Sequence, residues 1–234
     1  MKGHHTAIVL AAGRGKRMNS AVQKQFLEIK GKPILYYSLK CMEETEQVTD
    51  VILVTSEDML SYCREEIVTR YGFQKVKKII AGGKERYDSV YAGLCACDPG
   101  TEYVLIHDAA RPFVTPEIIN RGLVCAYEKG ACVAGVPSKD TVKLSDSRGM
   151  VTETPNRESV WIVQTPQTFR YDLIKNAHEV IRRGDMSKVT DDAMVVEQAG
   201  GQSVALVMGS YQNIKITTPE DLLVAEAFLS MRQS

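Results

Sequence analysis

Short apolar segments alternate along the chain with longer segments in which apolar residues recur at helical spacing. The short segments are rich in β-branched residues, which favour strands. They are 6–10, 51–55, 76–80, 103–107, 131–136 and 203–207. The segments with helical spacing are 33–44, 57–71, 116–129, 171–183 and 219–232. Strands that are apolar on both faces and alternate with helices are typical of a mostly parallel sheet flanked by helices, so we predict an α/β fold.

The segment 138–159 departs from this pattern because it is polar and partly alternating. The sequence Ser145-Asp-Ser-Arg-Gly149 lies between two such stretches, which favours a β-hairpin with glycine in its turn. The hairpin has too few apolar residues for a core of its own. It is therefore either a solvated surface hairpin or an arm that packs on a second subunit. Since the chain shows no repeats or linkers, we predict a single domain, residues 1–234, that carries this arm.

The composition excludes several classes of protein. The 29 basic residues equal the 29 acidic residues, whereas proteins that bind along nucleic acids usually have a basic excess. The apolar stretches are shorter than the roughly 18 residues of a membrane helix, and no apolar signal-peptide core is present. The six cysteines are scattered, without the spacing of a zinc site, as buried or free thiols are. We expect a cytoplasmic protein that binds neither nucleic acid nor membrane.

The first chemical motif directly follows the first predicted strand, and ligands bind parallel sheets at such strand ends. Gly13-Arg14-Gly15 is followed by the cations Lys16, Arg17 and Lys24. Glycine N–H groups can surround an anion. A dinucleotide-binding motif is excluded because Met18 stands where its third glycine should be. The pattern favours phosphate binding, with a solvated basic face as the alternative.

Two further motifs follow predicted strands. Gly82-Gly83 precedes charged residues and Ser89, which indicates either a loop whose backbone contacts a base edge or an ordinary turn before a helix. In the sequence 107–111, Asp108 is well placed for a ribose hydroxyl or a metal ion, and Arg111 for a phosphate. A structural pair between these two side chains is the alternative. We interpret His107 as a packed imidazole rather than a general base.

Three later segments are ambiguous when taken singly. The sequence TPQTF (165–169) favours a turn, and Lys215 is typical of an edge strand. Asp191 and Asp192 follow Thr190 and favour the acidic start of a helix over a metal site. Together these segments add hydroxyls and one cation to the groups that could bind phosphate.

The set of motifs resembles the 2-C-methyl-D-erythritol 4-phosphate cytidylyltransferases, a family of sugar-phosphate nucleotidyltransferases. The matching segments are AAGRGKRM (11–18), KQFL (24–27), GGKERYDSV (82–90), HDAARPF (107–113), KDT (139–141), TPQTF (165–169) and NIKITTPED (213–221). The resemblance implies a Rossmann-like sheet of the nucleotide-diphospho-sugar transferase type with a projecting β-hairpin arm. It also implies that CTP and methylerythritol phosphate react with the help of Mg²⁺ to give a CDP-alcohol and pyrophosphate.

The resemblance further implies roles for individual residues. Those that would bind the nucleotide are Ala11, Ala12, Gly13, Gly83, Ser89, Asp108 and Ala109. Arg17 and Lys24 would stabilise the transition state at the α-phosphate. Those that would position the methylerythritol phosphate are Arg111, Thr141, Arg157, Thr165, Thr190 and Lys215. Arg157 would come from the arm of the second subunit in a homodimer. The chain departs from the family pattern at Gln23, where proline is frequent, and at Lys84, where an acidic residue is frequent.

Elementary chemistry agrees with these roles. Two unit charges about 4 Å apart repel by roughly 4 kcal/mol at an effective dielectric constant of 20, so a site that joins two phosphates needs several cations. The acceptor phosphate is already ionised, so no general base or covalent nucleophile is needed. Two alternatives stay open: a cytidylyltransferase for another polyol phosphate, such as ribitol 5-phosphate, and a non-catalytic regulator that binds nucleotides.

Overall fold

One central sheet organises the fold in the computed structural model, which describes residues 3–13 and 23–233. The strands are, in chain order, β1 (His5–Ala11), β2 (Glu28–Ile29), β3 (Lys32–Pro33), β4 (Asp50–Thr55), β5 (Val76–Ala81), β6 (Tyr103–Asp108), β7 (Ala131–Pro137), β8 (Leu144–Ser145), β9 (Val151–Glu153), β10 (Trp161–Arg170) and β11 (Ala205–Met208). Seven of them form the sheet in the order β11-β7-β10-β6-β1-β4-β5. All neighbours are parallel except β10, which runs antiparallel to β6 and β7. The predicted mostly parallel sheet is confirmed.

Helices cover both faces of this sheet. They are α1 (Ile34–Glu44), α2 (Leu60–Tyr62), α3 (Arg86–Ala96), α4 (Pro116–Lys129), α5 (Tyr171–Ile181), α6 (Asp192–Ala199) and α7 (Pro219–Gln233). The predicted helix over 57–71 is instead a 3-10 turn, the single turn α2 and a π-helix, Cys63–Thr69. None of the helices in the described ranges is both long and apolar enough to cross a membrane.

The two faces explain why the parallel strands are continuously apolar. In β1, Ala7 and Val9 pack into a core with residues of α1 and α4. Ile8, which points the other way, packs into a second core with residues of α3, α5 and α6. Ala7, Ile8 and Val9 are all fully buried. Burial on both faces is the condition under which parallel strands lose the alternating pattern.

The antiparallel strand β10 corrects the interpretation of residues 165–169 as a turn. These residues lie inside β10, and the register with β7 shifts between Val163 and Gln167. The Thr165–Pro166 peptide bond in this irregular stretch is cis. Because a bulge re-aims side chains out of the regular ladder, Thr165 reaches the end of β6, where its hydroxyl accepts the Asp108 N–H at 3.0 Å.

The segment 138–159 contains the predicted hairpin. Strands β8 and β9 pair antiparallel, and Gly149 in the turn has φ 79°, a conformation that suits glycine. Every residue of both strands is exposed. The six cysteines are free thiols, as expected.

Candidate active site

A cleft lies at the carboxyl ends of β1, β5 and β6, the edge at which parallel sheets bind ligands. Its volume is about 220 Å³, and we call it the glycine lobe. It is lined by Leu10, Ala12, Gly13, Lys24, Gln25, Gly83, Lys84, Glu85, Arg86, Ser89, Asp108, Ala110 and Lys215. Residues that the sequence places in five separate motifs therefore meet in one cleft.

A second cavity of about 230 Å³ adjoins the first, and we call it the Arg111 lobe. It is lined by Arg86, Asp108, Arg111, Val163, Gln164, Thr165, Gln167, Thr190, Asp191 and Lys215. Both lobes share Arg86, Asp108 and Lys215. These three side chains therefore form the wall between two compartments that are contiguous.

The double-glycine turn of the glycine lobe is required by close packing. A Cβ on Gly83 would overlap the Cβ of Asp88, and a Cβ on Gly82 would lie 2.6 Å from the Ser89 hydroxyl oxygen. Ser89 lies inside α3, and its hydroxyl oxygen accepts the Gly83 N–H at 3.2 Å. The N-cap of α3 is Glu85, in a capping box with Asp88. Ser89 therefore fixes the turn against the helix, and the turn keeps its backbone close to the cleft.

Asp108 ends β6 and holds two cations in the wall between the lobes. Arg86 Nε donates to one carboxylate oxygen at 3.1 Å, and Lys215 Nζ donates to the other at 2.7 Å. Burial opposes ionisation of this carboxyl, but the charges of Arg86 and Lys215 outweigh it and lower the pKa of Asp108. The wall therefore carries an ionised carboxylate at neutral pH.

Arg86 connects Asp108 to α6, and sequence reasoning did not identify it. Its two Nη atoms donate to the carboxylate of Asp192 at 2.9 and 2.8 Å. The side chain of Asp192 is only 1% exposed. The amide oxygen of Gln167 accepts the N–H groups of Asp192 and Ala193 at 2.9 and 3.0 Å, which holds the first turn of α6. Asp191 is the N-cap of α6, so the prediction of an acidic helix start is confirmed.

A hydrogen-bonded chain orients His107 and Thr165. The carbonyl of Arg111 can only accept, so His107 Nε2 donates to it at 3.2 Å and carries the ring proton. His107 Nδ1 then accepts the hydroxyl proton of Thr165 at 3.0 Å. Burial lowers the pKa of His107 to about 4, so the ring is neutral. His107 is the packed imidazole that the sequence favours, and it holds Thr165 in the wall of the Arg111 lobe.

Arg111 has neutral partners in the Arg111 lobe. Its Nη atoms donate to the carbonyls of Asn213 at 2.9 Å and Val163 at 3.4 Å, and its buried Nε has no partner in the described part of the chain. The ion pairs of Asp108 involve Arg86 and Lys215 rather than Arg111. The structural Asp–Arg pair considered as an alternative is therefore not what the structure shows. A guanidinium with neutral partners suits an incoming phosphate.

Two predicted nucleotide-binding residues lie beneath the cleft surface. Ala11 is 1% exposed, and its carbonyl accepts a hydrogen bond from Gln25. Ala109 is fully buried, and its N–H donates to the carbonyl of Leu10 at 3.0 Å. Ala110 lines the glycine lobe in place of Ala109. The tight turn after β6 directs the side chain of Ala109 into the core, and the assignment of Ala11 and Ala109 to the nucleotide stays a prediction.

Two other predicted residues are outside the two lobes. Thr141 and Arg157 are exposed in the segment 138–159, and Arg157 Nη1 donates to the carbonyl of Lys139 at 3.5 Å. Neither residue lines the cleft of its own chain. Arg17 falls outside the residues that the structure describes.

We predict that the free energy of unfolding falls in mild acid because of two buried histidines, His107 and His178. Burial lowers the pKa of His107 and of His178 to about 4, and both His178 ring nitrogens lack partners among the described residues. Between about pH 6.5 and pH 4 the unfolded chain takes up these protons and the folded chain does not, so stability falls as pH falls. Each group contributes up to about 3 kcal/mol.

Denaturant titrations from pH 7 to pH 4.5, compared for wild type and His178→Phe, measure this effect. The variant is expected to lose about half of the pH dependence in this window, because one of the two groups is removed. A variant whose free energy of unfolding falls with pH as steeply as that of wild type would contradict the assignment to His178.

Comparisons with known proteins cover nearly the whole chain. A family model described as 2-C-methyl-D-erythritol 4-phosphate cytidylyltransferase matches residues 5–231. A protein of that name from Clostridium botulinum strain Langeland is 52% identical over 225 residues, which are 96% of this chain and 97% of the relative. Another from Lachnoclostridium phytofermentans is 49% identical over 228 residues, 97% of each chain. The crystal structure of 4-diphosphocytidyl-2C-methyl-D-erythritol synthase from Anaerococcus prevotii matches with TM-score 0.86 at 34% identity, over 97% of this chain and 96% of that one.

Proposed function

This chain belongs to the 2-C-methyl-D-erythritol 4-phosphate cytidylyltransferase family, and we propose that it transfers the cytidylyl group of CTP to 2-C-methyl-D-erythritol 4-phosphate. A phosphate oxygen of the acceptor attacks the α-phosphorus of CTP. The new bond joins the two phosphates, and the bond from the α-phosphorus to the oxygen of the β-phosphate breaks. The products are 4-diphosphocytidyl-2-C-methyl-D-erythritol and pyrophosphate. The observation that carries the proposal is the pair of contiguous lobes with cations at their common wall.

The glycine lobe suits the cytidine part of CTP. Gly13 and Gly83 leave the backbone open to a base and its phosphates. A carboxylate has about four acceptor positions, so Asp108 can accept a ribose hydroxyl while it holds Arg86 and Lys215.

The Arg111 lobe suits the acceptor phosphate. Arg111 offers a guanidinium with neutral partners, and the exposed Thr190 also lines this lobe. Lys215 lines both lobes and lies 2.7 Å from Asp108. We assign it the position between the two reacting phosphates, where one ammonium group reduces the repulsion between them.

The transition state needs cations near the α-phosphate. Lys24 begins a 3-10 turn and lines the glycine lobe. We assign it, with Arg17, to the negative charge that develops on the α-phosphate and on the leaving pyrophosphate. The neutral, hydrogen-bonded His107 is not required as a base, because the attacking phosphate is already ionised.

The carboxylates of the cleft determine whether the protein itself could bind Mg²⁺. Both oxygens of Asp108 bind cations, and Glu85 caps α3. Among the described residues that line the two lobes, these carboxylates thus do not form a dedicated site for Mg²⁺, and we assign it no protein ligand. Magnesium commonly reaches such sites bound to nucleotide phosphates, where it reduces their negative charge.

The segment 138–159 supports a proposed homodimer of single-domain subunits. It exposes Leu144 and Val151, and the adjoining start of β10 exposes Ile162, each by about half. Exposed apolar side chains that form one patch mark protein contacts, and we propose that these three belong to such a patch. In this proposal the arm crosses to a second copy of the chain, and Thr141 and Arg157 of the partner subunit complete the Arg111 lobe. We further propose that the enzyme acts in the cytoplasm.

Pyrophosphate release from the purified protein with CTP tests the proposed function. Release is expected with 2-C-methyl-D-erythritol 4-phosphate and Mg²⁺, and it is expected to stop when EDTA replaces Mg²⁺. Pyrophosphate release with ribitol 5-phosphate alone would show that the enzyme is a cytidylyltransferase for that acceptor instead. Binding of CTP without release from either acceptor would contradict the proposal and favour the regulator.

A further inference from the structure

We propose that Arg86 is a positioning residue that fixes the Asp108 carboxylate between the two lobes and frees Lys215 to turn to the reacting phosphates. The inference rests on the proposed function, because it concerns the same site. Arg86 lines both lobes and touches Asp108 on one side and Asp192 on the other.

The position of Arg86 is determined from outside the cleft. Two of its nitrogens bind Asp192 in a forked pair, a geometry that fixes the plane of the guanidinium. Asp192 belongs to the first turn of α6, which Gln167 holds through two backbone N–H groups. The remaining nitrogen, Nε, is then directed at Asp108 at 3.1 Å. The orientation of Asp108 therefore depends on a side chain anchored in a buried carboxylate.

The sharing of Asp108 has a consequence for Lys215. In the structure both cations neutralise Asp108. When Lys215 turns toward a phosphate, Arg86 still neutralises the Asp108 carboxylate, whose side chain is only 11% exposed. Without Arg86, the same movement would leave a buried carboxylate without an ion pair, which is strongly unfavourable. We therefore expect loss of Arg86 to hold Lys215 on Asp108 and to slow the transfer step.

The ion pair between Arg86 and Asp192 also links the two lobes. Arg86 follows the Gly82–Gly83 turn of the glycine lobe, whereas Asp192 follows Thr190 and Asp191 of the Arg111 lobe. One ion-paired side chain therefore joins the segment proposed to bind the nucleotide to the segment proposed to bind the acceptor. Loss of this pair is expected to weaken CTP binding as well as use of the acceptor.

The test compares Arg86→Met, Arg86→Lys and a matched control, Arg182→Met. Arg182 binds Asp88 of α3 at 2.8 Å, with side chains 32% and 26% exposed, so the control removes another ion pair of the same helix outside both lobes. Arg86→Met is expected to lower kcat/KM for the acceptor roughly 10- to 100-fold, the range for loss of a group that orients a functional side chain. Arg86→Lys keeps the positive charge but cannot form the forked pair with Asp192, so its kcat/KM is expected to lie between those of Arg86→Met and wild type. Arg182→Met is expected to stay within a few-fold of wild type.

The pH profile gives a readout that a purely structural role would not change. The described groups that interact electrostatically with Asp108 include Arg86 of α3, His107 of β6, Asp192 of α6, and Arg111 and Lys215 of the loops. The other charged residues that line the same two lobes are Lys24, Lys84, Glu85 and Asp191. Removing Arg86 removes one of the charges that lower the pKa of Asp108. The acid limb of kcat/KM is therefore expected to move to higher pH in Arg86→Met and not in Arg182→Met.

Thermal unfolding and CTP titration calorimetry complete the design. Kinetics are compared below the melting transition of every variant. If Arg86→Met does not fold, it is replaced by Asp192→Asn, which removes the negative charge that Arg86 binds in α6. The proposal is overturned if Arg86→Met keeps kcat/KM and CTP affinity within a few-fold of wild type, or if Arg182→Met loses as much. CTP affinity needs no acceptor, so a wrong acceptor assignment and a wrong role for Arg86 give different results.

Discussion

Replacing Lys24 by alanine is expected to lower kcat by at least about 100-fold, the usual loss when one transition-state donor is removed. Lys24 lines the glycine lobe from the 3-10 turn that follows the first glycine motif. Its ammonium group is proposed to bind charge that grows as the α-phosphate is attacked, so kcat should fall more than the affinity for CTP. Steady-state kinetics with both substrates varied measure the two effects separately.

Lys84→Ala is the matched control for this prediction. Lys84 is a second lysine of the same lobe, at its exposed rim, and no role is assigned to it. It should keep kcat within a few-fold of wild type. A Lys24→Ala variant as active as wild type, or equal losses in both variants, would contradict the role of Lys24.

Mixed dimers of Lys24→Ala and Arg157→Ala subunits are expected to regain activity that neither variant has alone. Arg157 is exposed and lies outside the lobes of its own chain, whereas Lys24 lines the glycine lobe. If Arg157 acts in the partner's site, each mixed dimer contains one intact site and one doubly defective site. Random exchange makes about half of the dimers mixed, so about a quarter of wild-type activity should return.

A mixture of Lys24→Ala and Lys215→Ala subunits is the control for exchange. Both lysines line the same cleft of one chain, so no site of a mixed dimer is intact and no activity should return. If the Arg157→Ala mixture also stays inactive after subunit exchange has been verified, the arm does not supply Arg157 to a second site.

Much of the fold could be predicted because the parallel strands are buried on both faces. Segments such as β1 are continuously apolar for that reason. Strand β10 escaped prediction because its polar residues serve the site rather than the core. Thr165 binds Asp108 and His107, and Gln167 holds α6. A strand that contains such residues and Pro166 has the local pattern of a turn.

The candidate site also has parts that could be predicted from the sequence and parts that could not. Motifs that follow predicted strands could be assigned to one edge of the sheet from their positions in the sequence, since parallel strands end together. The pair Arg86–Asp192 could not be predicted, because its members are 106 positions apart and each has a sufficient local explanation. Asp192 fits an acidic helix start, and Arg86 is one of several charges after a glycine turn. The burial of Ala109 beneath Ala110 depends on a turn geometry that the sequence does not specify.

Transfer of label from CTP radiolabelled at the α-phosphate tests the central claim most directly. With 2-C-methyl-D-erythritol 4-phosphate and Mg²⁺, the label is expected in 4-diphosphocytidyl-2-C-methyl-D-erythritol, in an amount equal to the pyrophosphate released. Label that appears in CMP, or only in a product of ribitol 5-phosphate, would contradict the account.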